Sequence, residues 1–380
     1  MDLRKIERVV FSIMFLMAVF LPMLQTFFPI FPEIKSTERR TLAKRPEFSL
    51  STIKEFPKKY ESYFDDHFGF RNLLVHCYNA ALVRSAQLFP LPVSSDQKVI
   101  IGKKGWLYYD SKESEGSLPD YLGRAPFSDE KLEQIRLNLE SQRDWLKKNG
   151  IDFYVLVCPN KQSVYPEFLP DTIIKKKDAV TRLDQVIRYL QRHSDFQLID
   201  VRQSLINGKK IHLTYYKSDT HWNRYGAFLA YQGLMRSMGI EPRPISDFKL
   251  SLRSRTLNKD LAKMLLIDPD NGTDIELSLR KSAPLHENKN KLLVFHDSFG
   301  HFLAQQLSND FEKIVALHHG NKISTRYINF GKVIEIKENN DKRAFQLINF
   351  KTVVEKQPQT VLLALSERRL NVLVLPLEFA

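Results

Sequence analysis

The sequence predicts an α/β protein with a mostly parallel sheet covered by helices on both faces. From residue 99 to residue 365, apolar runs of strand length alternate with segments whose apolar residues recur at helical spacing. Residues 292–295 are apolar without interruption, which is typical of a central strand buried on both faces. The polar residues His296, Asp297 and Ser298 follow at once, before a helical pattern begins. This turn places a serine at the edge of the sheet where ligands bind in open α/β folds.

The chain starts with a basic flank followed by a long apolar segment. Three of residues 4–8 are basic, residues 9–24 are almost all apolar, and further apolar residues extend the run to residue 31. This pattern fits either a cleaved signal peptide or an uncleaved anchor. Because no small residues suitable for cleavage follow residue 24, we predict a signal anchor over residues 1–31 that enters the inner membrane with residues 9–31. The basic flank places the N-terminus in the cytoplasm and the rest of the chain in the periplasm.

Residues 32–95 predict a stalk punctuated by prolines and then a helical segment. Tyr60, Phe64 and Phe68 recur at helical spacing within it. Residues 65–67, Asp-Asp-His, are explained by a surface helix end more simply than by a metal site.

Residues 96–380 carry the α/β pattern and predict one catalytic domain. It opens with a hairpin around a Gly-Lys-Lys-Gly turn, and its later helices begin at Ser128 and after Asn223, both residues that favour N-caps. Residues 240–290 are polar with few periodic signals, so we predict an insertion there. The predicted strands are residues 99–101, 106–109, 151–157, 197–201, 292–295, 313–317 and 360–365.

Composition limits the classes of function. The formal net charge is +13, from 57 Lys and Arg against 44 Asp and Glu. A basic protein can bind nucleic acid, an anionic membrane surface or an acidic polymer. No nucleic-acid motif appears and the domain is predicted to be exported, so we expect no nucleic-acid partner. Cys77 and Cys158 cannot form a disulfide framework; one bridge is possible, but we expect two free thiols.

Two separated motifs supply the parts of a nucleophilic serine site. Taken alone, Asp297 and Ser298 before a helix are ordinary capping residues. Upstream, however, Asp219 and His221 are two residues apart, so in an extended loop their side chains lie on the same side. A serine needs a base and the base needs an orienting carboxylate. We therefore predict a triad of Ser298, His221 and Asp219.

These motifs also resemble a known family. Asp-Thr-His-Trp at 219–222 followed by His-Asp-Ser-Phe-Gly at 296–300 resembles the alginate O-acetyltransferases of the AlgX/AlgJ type, in the SGNH-hydrolase-like superfamily. Shorter matching pieces are found at residues 38–43 with Pro46, 64–71, 102–108, 159–161 with 165–166, and 367–368. The resemblance implies an SGNH-like sheet and a serine that follows its Asp-His pair in the chain. No Gly-x-Ser-x-Gly elbow surrounds Ser298, which argues against an α/β-hydrolase.

The resemblance implies a periplasmic O-acetyltransferase that acts on an exported polysaccharide through an acetyl-serine intermediate. Such proteins work beside a membrane-bound O-acyltransferase that supplies acetyl groups, and no cofactor or metal is expected. An acetyl esterase of the SGNH type and a non-catalytic scaffold subunit of polysaccharide acetylation are the alternatives. The identity of the polysaccharide is not encoded in a recognisable motif.

Four further residues are candidates for contacts with substrate. Asn160 follows a predicted strand and can supply a second oxyanion donor beside the Ser298 N–H, although Pro-Asn-Lys also fits a plain turn. Trp222 is expected to line a groove that orients the sugar. Arg326 and Tyr327 are candidates for contacts with the polymer or an acyl oxygen. The simpler alternative for both is a position on the surface without a role in binding.

A metal site is the rival to serine chemistry. His296, His301, His318 and His319 with Asp297 offer metal ligands, as a phosphodiesterase or deacetylase would need. Their spacing matches no His-Glu-x-x-His or similar signature, and histidines near strand ends are commonly structural. We therefore favour the serine mechanism.

Overall fold

The computed structural model describes residues 3–32, 42–88, 98–110, 116–253, 259–267, 274–280, 288–319, 323–329, 332–339 and 350–375. The chain divides into two compact units, one of residues 1–89 with 260–269 and one of residues 90–259 with 270–380. The predicted division of the chain into residues 1–31, 32–95 and 96–380 remains a proposal.

The helices and strands are numbered in chain order. The helices are α1 (Leu3–Phe27), α2 (Phe56–His67), α3 (Arg71–Leu88), α4 (Ser117–Tyr121), α5 (Asp129–Lys148), α6 (Lys161–Val164), α7 (Arg182–His193), α8 (Arg202–Gly208), α9 (Arg224–Ser237), α10 (Asp260–Met264), α11 (Gly300–Leu307) and α12 (Phe350–Lys356). The strands are β1 (Val99–Ile101), β2 (Leu107–Tyr109), β3 (Asp152–Cys158), β4 (Ile199–Asp200), β5 (Phe248–Arg253), β6 (Asp274–Leu279), β7 (Asn288–His296), β8 (Phe311–His319), β9 (Ile323–Asn329), β10 (Lys332–Asn339) and β11 (Thr360–Ser366). Short 3₁₀ helices span Leu50–Thr52, Lys103–Gly105, Pro166–Phe168, Ile245–Asp247 and Glu367–Val374.

The first unit is helical. Its α1 displays apolar side chains such as Phe11 to the outside, and within the described residues Arg4–Phe27 is the one helix long and apolar enough to cross a membrane. In the last turn of α1, the Gln25 side chain accepts hydrogen bonds from Ile30 N and Phe31 N, which turns the chain at the helix end. Residues 33–41, which hold part of the predicted stalk and the first four residues of the motif piece at 38–43, lie outside the described residues.

The second unit is built on a seven-stranded sheet with the order β10-β9-β8-β7-β11-β3-β4. Strands β8, β7, β11, β3 and β4 are mutually parallel, and β9 and β10 add an antiparallel edge. The α/β fold with a mostly parallel sheet is therefore confirmed. The antiparallel pair at the edge was not predicted from the sequence.

Both faces of the sheet are covered because side chains of a buried strand alternate between two apolar cores. Leu292 and Val294 of β7 pack in the core that also contains side chains of α9 and α11. Leu293 and Phe295 point the opposite way, into the core that contains side chains of α5, α7 and α12. The uninterrupted apolar run thus reflects burial on both faces.

Each predicted strand overlaps a strand of the structure, although most of their boundaries differ by one or more residues. Strands β1 and β2 form the predicted antiparallel hairpin. The Ser128 side chain accepts a hydrogen bond from Lys131 N at the start of α5, and Gly150 follows that helix with a φ of 70°, which glycine adopts without strain. Within the predicted insertion, β5 and β6 pair antiparallel. Cys77 is exposed and Cys158 is buried, and both are free thiols.

Candidate active site

The turn between β7 and α11 presents Ser298 at the carboxyl edge of the sheet. Asp297 is buried and its carboxylate fixes the turn, because Oδ1 accepts Phe299 N at 3.0 Å and Oδ2 accepts Ser366 N at 2.9 Å. Gly300 begins the helix against His296, whose Cβ would lie 2.3 Å from any added Cβ. Backbone and side-chain contacts together leave Ser298 half-buried at the tip of a fixed turn.

Asp219, His221 and Ser298 form a chain of hydrogen bonds. His221 Nδ1 lies 2.6 Å from Asp219 Oδ1, and His221 Nε2 lies 2.7 Å from Ser298 Oγ. Asp219 Oδ1 also accepts the backbone N–H of His221 at 3.0 Å, which holds the carboxylate and the imidazole in one orientation. The carboxylate is buried, whereas the imidazole keeps 18% of its surface exposed. An acceptor at Nδ1 leaves Nε2 able to take a proton from the serine.

The Asp-His loop is held at both of its ends. Tyr215 and Trp222 form an antiparallel bridge across it. Beyond the loop, Asn223 Oδ1 accepts Gly226 N at 2.9 Å, as predicted for the cap of α9, and Asn223 Nδ2 donates to Leu213 O. His221 is therefore positioned by a short closed loop at the start of a buried helix.

The prediction that Trp222 lines a sugar groove is wrong. Its side chain is fully buried, so no ligand reaches the ring. Its indole Nε1 donates to Phe299 O at 3.0 Å, and its ring packs edge-on against Phe299 with centroids 5.5 Å apart. Phe299 also contacts the His221 ring, with centroids 4.8 Å apart. Trp222 therefore connects the loop of Asp219 and His221 to the Ser298 turn from the interior.

One buried lysine, Lys161, was not predicted from the sequence. Lys161 Nζ donates to Leu107 O at 2.7 Å and to Lys217 O at 3.0 Å, and it lies over the rings of Trp106 and Tyr108. These contacts attach the segment before Asp219 to the hairpin. The Pro-Asn-Lys motif was the signal in the sequence, but nothing in that motif indicates that its lysine is buried.

Asn160 is buried two residues after β3, and its backbone N–H donates to Glu367 Oε2 at 2.8 Å. Ser163 Oγ donates to the same oxygen at 2.8 Å. Burial raises the pKa of Glu367 to about 7, with the nearby Asp120 charge adding to the rise. Asn160 and Ser298 each lie two residues beyond a strand end, with β11 between the two strands. An oxyanion role for Asn160 remains a prediction.

Arg326 lies on β9 and is half-buried. Tyr327 occupies the next position of β9, and its side chain lies outside the described residues, as does that of His319. The rings of His296, His301 and His318 pack together, with centroids 4.6–5.5 Å apart. His296 Nδ1 donates to Asp297 O at 2.6 Å.

The backbone N–H of Ser298 differs from those of the two residues that follow it. Neighbouring amides are occupied, since Phe299 N and Gly300 N both donate to Asp297. Within the described residues, no acceptor takes a hydrogen bond from Ser298 N. A nucleophile, a base, an orienting carboxylate and one oxyanion donor are the groups that acyl transfer through serine requires.

The sequence of this chain is similar to those of known acetyltransferases. Residues 99–293 match the SGNH hydrolase-like domain of the acetyltransferase AlgX, a segment that holds Asp219 and His221 and ends before Ser298. The probable alginate O-acetylase AlgJ of Pseudomonas syringae pv. tomato is 25% identical over 224 residues, which are 57% of this chain and 52% of that protein. The chain spans about half the length of the curated relatives it matches.

Two solved structures are similar to this chain. The O-acetyltransferase domain of Pseudomonas putida AlgJ aligns with 72% of this chain and 92% of its own, at 17% identity and a TM-score of 0.45. PatB1 of Bacillus cereus with a sulfonyl adduct aligns with 74% of this chain and 97% of its own, at 14% identity and a TM-score of 0.49.

Proposed function

Because the chain belongs to the family of the SGNH hydrolase-like domain of the acetyltransferase AlgX, we propose that it is an O-acetyltransferase that acetylates hydroxyls of an exported polysaccharide. The observation that carries the proposal is the position of His221, which lies within hydrogen-bond distance of both Asp219 and Ser298. The curated relatives are named probable alginate O-acetylases, which supports acetyl transfer to a sugar hydroxyl.

The proposed reaction has two half-reactions at one serine. His221 Nε2 takes the proton of Ser298 Oγ as the oxygen attacks the carbonyl carbon of the acetyl donor. The donor's leaving group departs with that proton, and an acetyl-serine ester remains. A sugar hydroxyl then gives its proton to Nε2 and attacks the ester carbonyl. The acetyl group passes to the sugar, and the proton returns to Ser298 Oγ.

Asp219 and the backbone assist both half-reactions. Asp219 holds the His221 tautomer and stabilises the positive charge that the imidazole gains. The Ser298 N–H and the N-terminus of α11 stabilise the negative charge on the carbonyl oxygen, and Asn160 is the proposed second donor. Each donor acts on charge that develops only in the transition state, which accelerates the chemical step.

We place the reaction in the periplasm, with the chain held to the inner membrane by residues 9–31. The apolar helix Arg4–Phe27 and the basic residues before it support this topology. A membrane-bound O-acyltransferase is the proposed source of acetyl groups, because periplasmic chemistry has to draw them from across the membrane. The net charge of +13 is compatible with an acidic polymer as acceptor.

The decisive test compares single and double variants of the full chain in acetyl transfer to polysaccharide. We expect Ser298→Ala and His221→Ala each to reduce transfer by about three orders of magnitude or more, and the double variant to be scarcely worse, because a base without a nucleophile has nothing to activate. Surface variants Ser237→Ala and His193→Ala are the matched controls and should transfer normally.

Trapping distinguishes the intermediate from the alternatives. Mass spectrometry should find an acetyl group on Ser298 in protein quenched during turnover. Acetate release that does not depend on acceptor, without acetylated sugar, would identify an esterase. Normal polymer acetylation in cells that carry Ser298→Ala would overturn the enzymatic proposal and leave the scaffold role.

A further inference from the structure

An apolar groove lies between α1 and the start of α3 in the first unit. Its volume is about 670 Å³, which is within the range of cavities that hold small ligands. Among its described lining residues only Asn72 is polar. The apolar lining includes Met17, Ala18 and Leu21 of α1 and Phe70, Leu73 and Leu74 around the start of α3. The groove therefore favours an apolar occupant, because its walls offer few partners to a polar group.

The corner between α2 and α3 is fixed against the end of α1. Gly69 N donates to Thr26 Oγ1 at 2.8 Å, and Thr26 Oγ1 donates in turn to Pro22 O at 2.9 Å. An added Cβ at Gly69 would lie 2.3 Å from Pro22 O, so this close approach requires glycine. The rings of Phe31 and Phe70 pack with centroids 5.8 Å apart. These contacts fix the start of α3 beside the last turns of α1, and the groove lies between them.

The position of the groove along α1 indicates the surroundings of its occupant. Met17 lies ten residues before the end of α1 at Phe27, and Pro22 lies five residues before it. At about 1.5 Å per residue, this wall runs from about 8 Å to about 15 Å below the helix end. Half of the hydrocarbon core of a bilayer is about 15 Å thick. With α1 as the proposed anchor, the groove opens among the acyl chains of the periplasmic leaflet.

One side of α3 extends the apolar surface beyond the groove. Positions i, i+1, i+4, i+5 and i+8 of this helix are exposed, and they hold Leu73, Leu74, Cys77, Tyr78 and Ala81. Such positions lie on one face of an α-helix. Leu74 and Tyr78 are 52% and 64% exposed, so the described part of the chain does not cover this face. Arg84 is exposed at the far end of the same face, where its charge suits a lipid phosphate.

The opposite side of α3 is bound within the first unit. Asn79 is buried, and its Nδ2 donates to Leu265 O at 2.8 Å. His76 Nδ1 donates to Leu266 O, in the same segment of residues 260–269. These polar contacts set the rotation of α3 about its axis. Its apolar face consequently points away from the segment to which the helix is bound.

We propose that the groove holds an acyl chain of a membrane phospholipid and that the first turns of α3 lie in the membrane interface. An exposed apolar face with a basic residue beside it is typical of helices that lie in this interface. The inference rests on the proposed inner-membrane anchor, because α1 carries the groove into lipid only if it spans the membrane. It adds a second membrane contact after the anchor. It also gives Gly69 and Phe70, in the motif piece at residues 64–71, the role of forming that contact.

The depth of Cys77 in a bilayer tests the position of α3. Cys77 is exposed and Cys158 is buried, so a thiol-reactive fluorophore labels Cys77 in the full chain. The labelled protein is placed in nanodiscs of phosphatidylethanolamine and phosphatidylglycerol. Its fluorescence is quenched either by iodide in the water or by phosphatidylcholine that carries a nitroxide on its acyl chain. We expect strong quenching by the nitroxide lipid and weak quenching by iodide. A label at Gln191→Cys, exposed on α7 of a Cys77→Ser chain, is the reference for water and should show the reverse.

Two variants test the face of α3 and the groove separately. Leu74→Asp should lower quenching of the Cys77 label by the nitroxide lipid severalfold, because a carboxylate is unfavourable in hydrocarbon. Leu50→Asp, at an exposed leucine outside α3, is its control and should leave quenching unchanged. Ala18→Trp fills the groove and should reduce severalfold the phospholipid that the chain retains in native mass spectrometry. Val19→Trp adds the same side chain to α1 at an exposed position outside the groove lining and should retain the lipid. Circular dichroism establishes whether each variant is folded.

The outcomes separate the lipid site from the anchor. Flotation of the full chain with membranes after a carbonate wash shows that α1 is inserted. A chain that floats, but whose Cys77 label responds to iodide and not to the nitroxide lipid, would overturn the lipid site and leave the anchor intact. A chain that does not float would overturn both. No readout uses acetyl transfer, so failure of the transferase proposal would leave these results interpretable.

Other occupants of this surface give different results. Protection of Cys77 from iodide in native membranes but not in nanodiscs would assign the face to a protein partner. Rapid disulfide bonding between the Cys77 residues of two unlabelled chains would assign it to a second copy. Equal lipid retention by Ala18→Trp and Val19→Trp would show that no acyl chain occupies the groove. Each of these results would overturn the proposal.

Discussion

Glu367 allows a quantitative test of the interior that supports the site. Its carboxyl group is fully buried, and its pKa is raised from an ordinary value of 4.5 to about 7. The folded state therefore keeps a proton on this group between about pH 4.5 and pH 7, where the unfolded chain has lost it. The stability that this proton provides is complete below pH 4.5 and is lost as the pH rises through 7.

The pKa rise converts to a free energy of unfolding of about 3 kcal/mol, at about 1.4 kcal/mol for each pH unit. Glu367→Gln should remove this dependence while it keeps the local geometry. Both Asn160 N and Ser163 Oγ donate to the single oxygen Oε2, which the carbonyl oxygen of glutamine can replace. The variant and the parent should thus have similar stability at pH 4.5, and the variant should be more stable by about 3 kcal/mol at pH 8.

Urea unfolding of the full chain, followed by tryptophan fluorescence from pH 4.5 to pH 8, measures this difference. The three tryptophans all lie in the second unit, so the signal reports that unit alone. Glu241→Gln, at an exposed position, is the control for removal of a negative charge. Parallel pH profiles for the parent and Glu367→Gln would refute the raised pKa. A loss of stability at every pH would show that glutamine does not replace the two hydrogen bonds.

Three further predictions concern the turn and the anchor. Trp222→Phe removes the hydrogen bond to Phe299 O, so hydrolysis of an activated acetyl ester should fall about tenfold and stability should fall by about 1 kcal/mol. Normal hydrolysis by this variant would show that the hydrogen bond does not position the serine. Gly300→Ala places a Cβ 2.3 Å from the Cβ of His296, so it should abolish ester hydrolysis and lower the unfolding temperature, and an active, stable variant would contradict that contact. Full-length protein should sediment with membranes and be digested by protease added to spheroplasts, whereas a soluble, shortened periplasmic form would show that Leu3–Phe27 is a cleaved signal.

The features predicted from the sequence were those encoded by neighbouring residues. The apolar run of β7 and the polar turn after it define a strand, a corner and a helix without reference to the rest of the chain. The Asp-x-His spacing likewise brings two side chains together within one loop. Strands β9 and β10 were not predicted because they are rich in polar residues, and their pairing depends on β8.

Residues whose role depends on tertiary contacts were misread or missed. Trp222 looks like a ligand-contacting aromatic in a loop, but the folded turn at Phe299 covers it. Lys161 looks like a solvated turn residue, yet its ammonium group satisfies two carbonyl oxygens and two aromatic faces in the interior. Residue type and spacing predict chemistry here, whereas exposure follows from elements that are distant in the sequence.

The edge of the sheet that carries the candidate site is held by carboxylates that connect adjacent strand ends. Asp297, after β7, accepts the N–H of Ser366 at the end of β11. Glu367, directly after β11, accepts the N–H of Asn160 beyond β3. Each bond joins a neighbouring pair in the order β7-β11-β3, so the two bonds in series fix the position of Asn160 relative to the Ser298 turn. Burial of Glu367 is costly, as its raised pKa indicates, and a site that depends on preorganised donors is where such a cost is compensated by function. On this reasoning, Glu367→Gln should gain stability at neutral pH without loss of ester hydrolysis, because the connection between the strands needs the oxygen and not its charge.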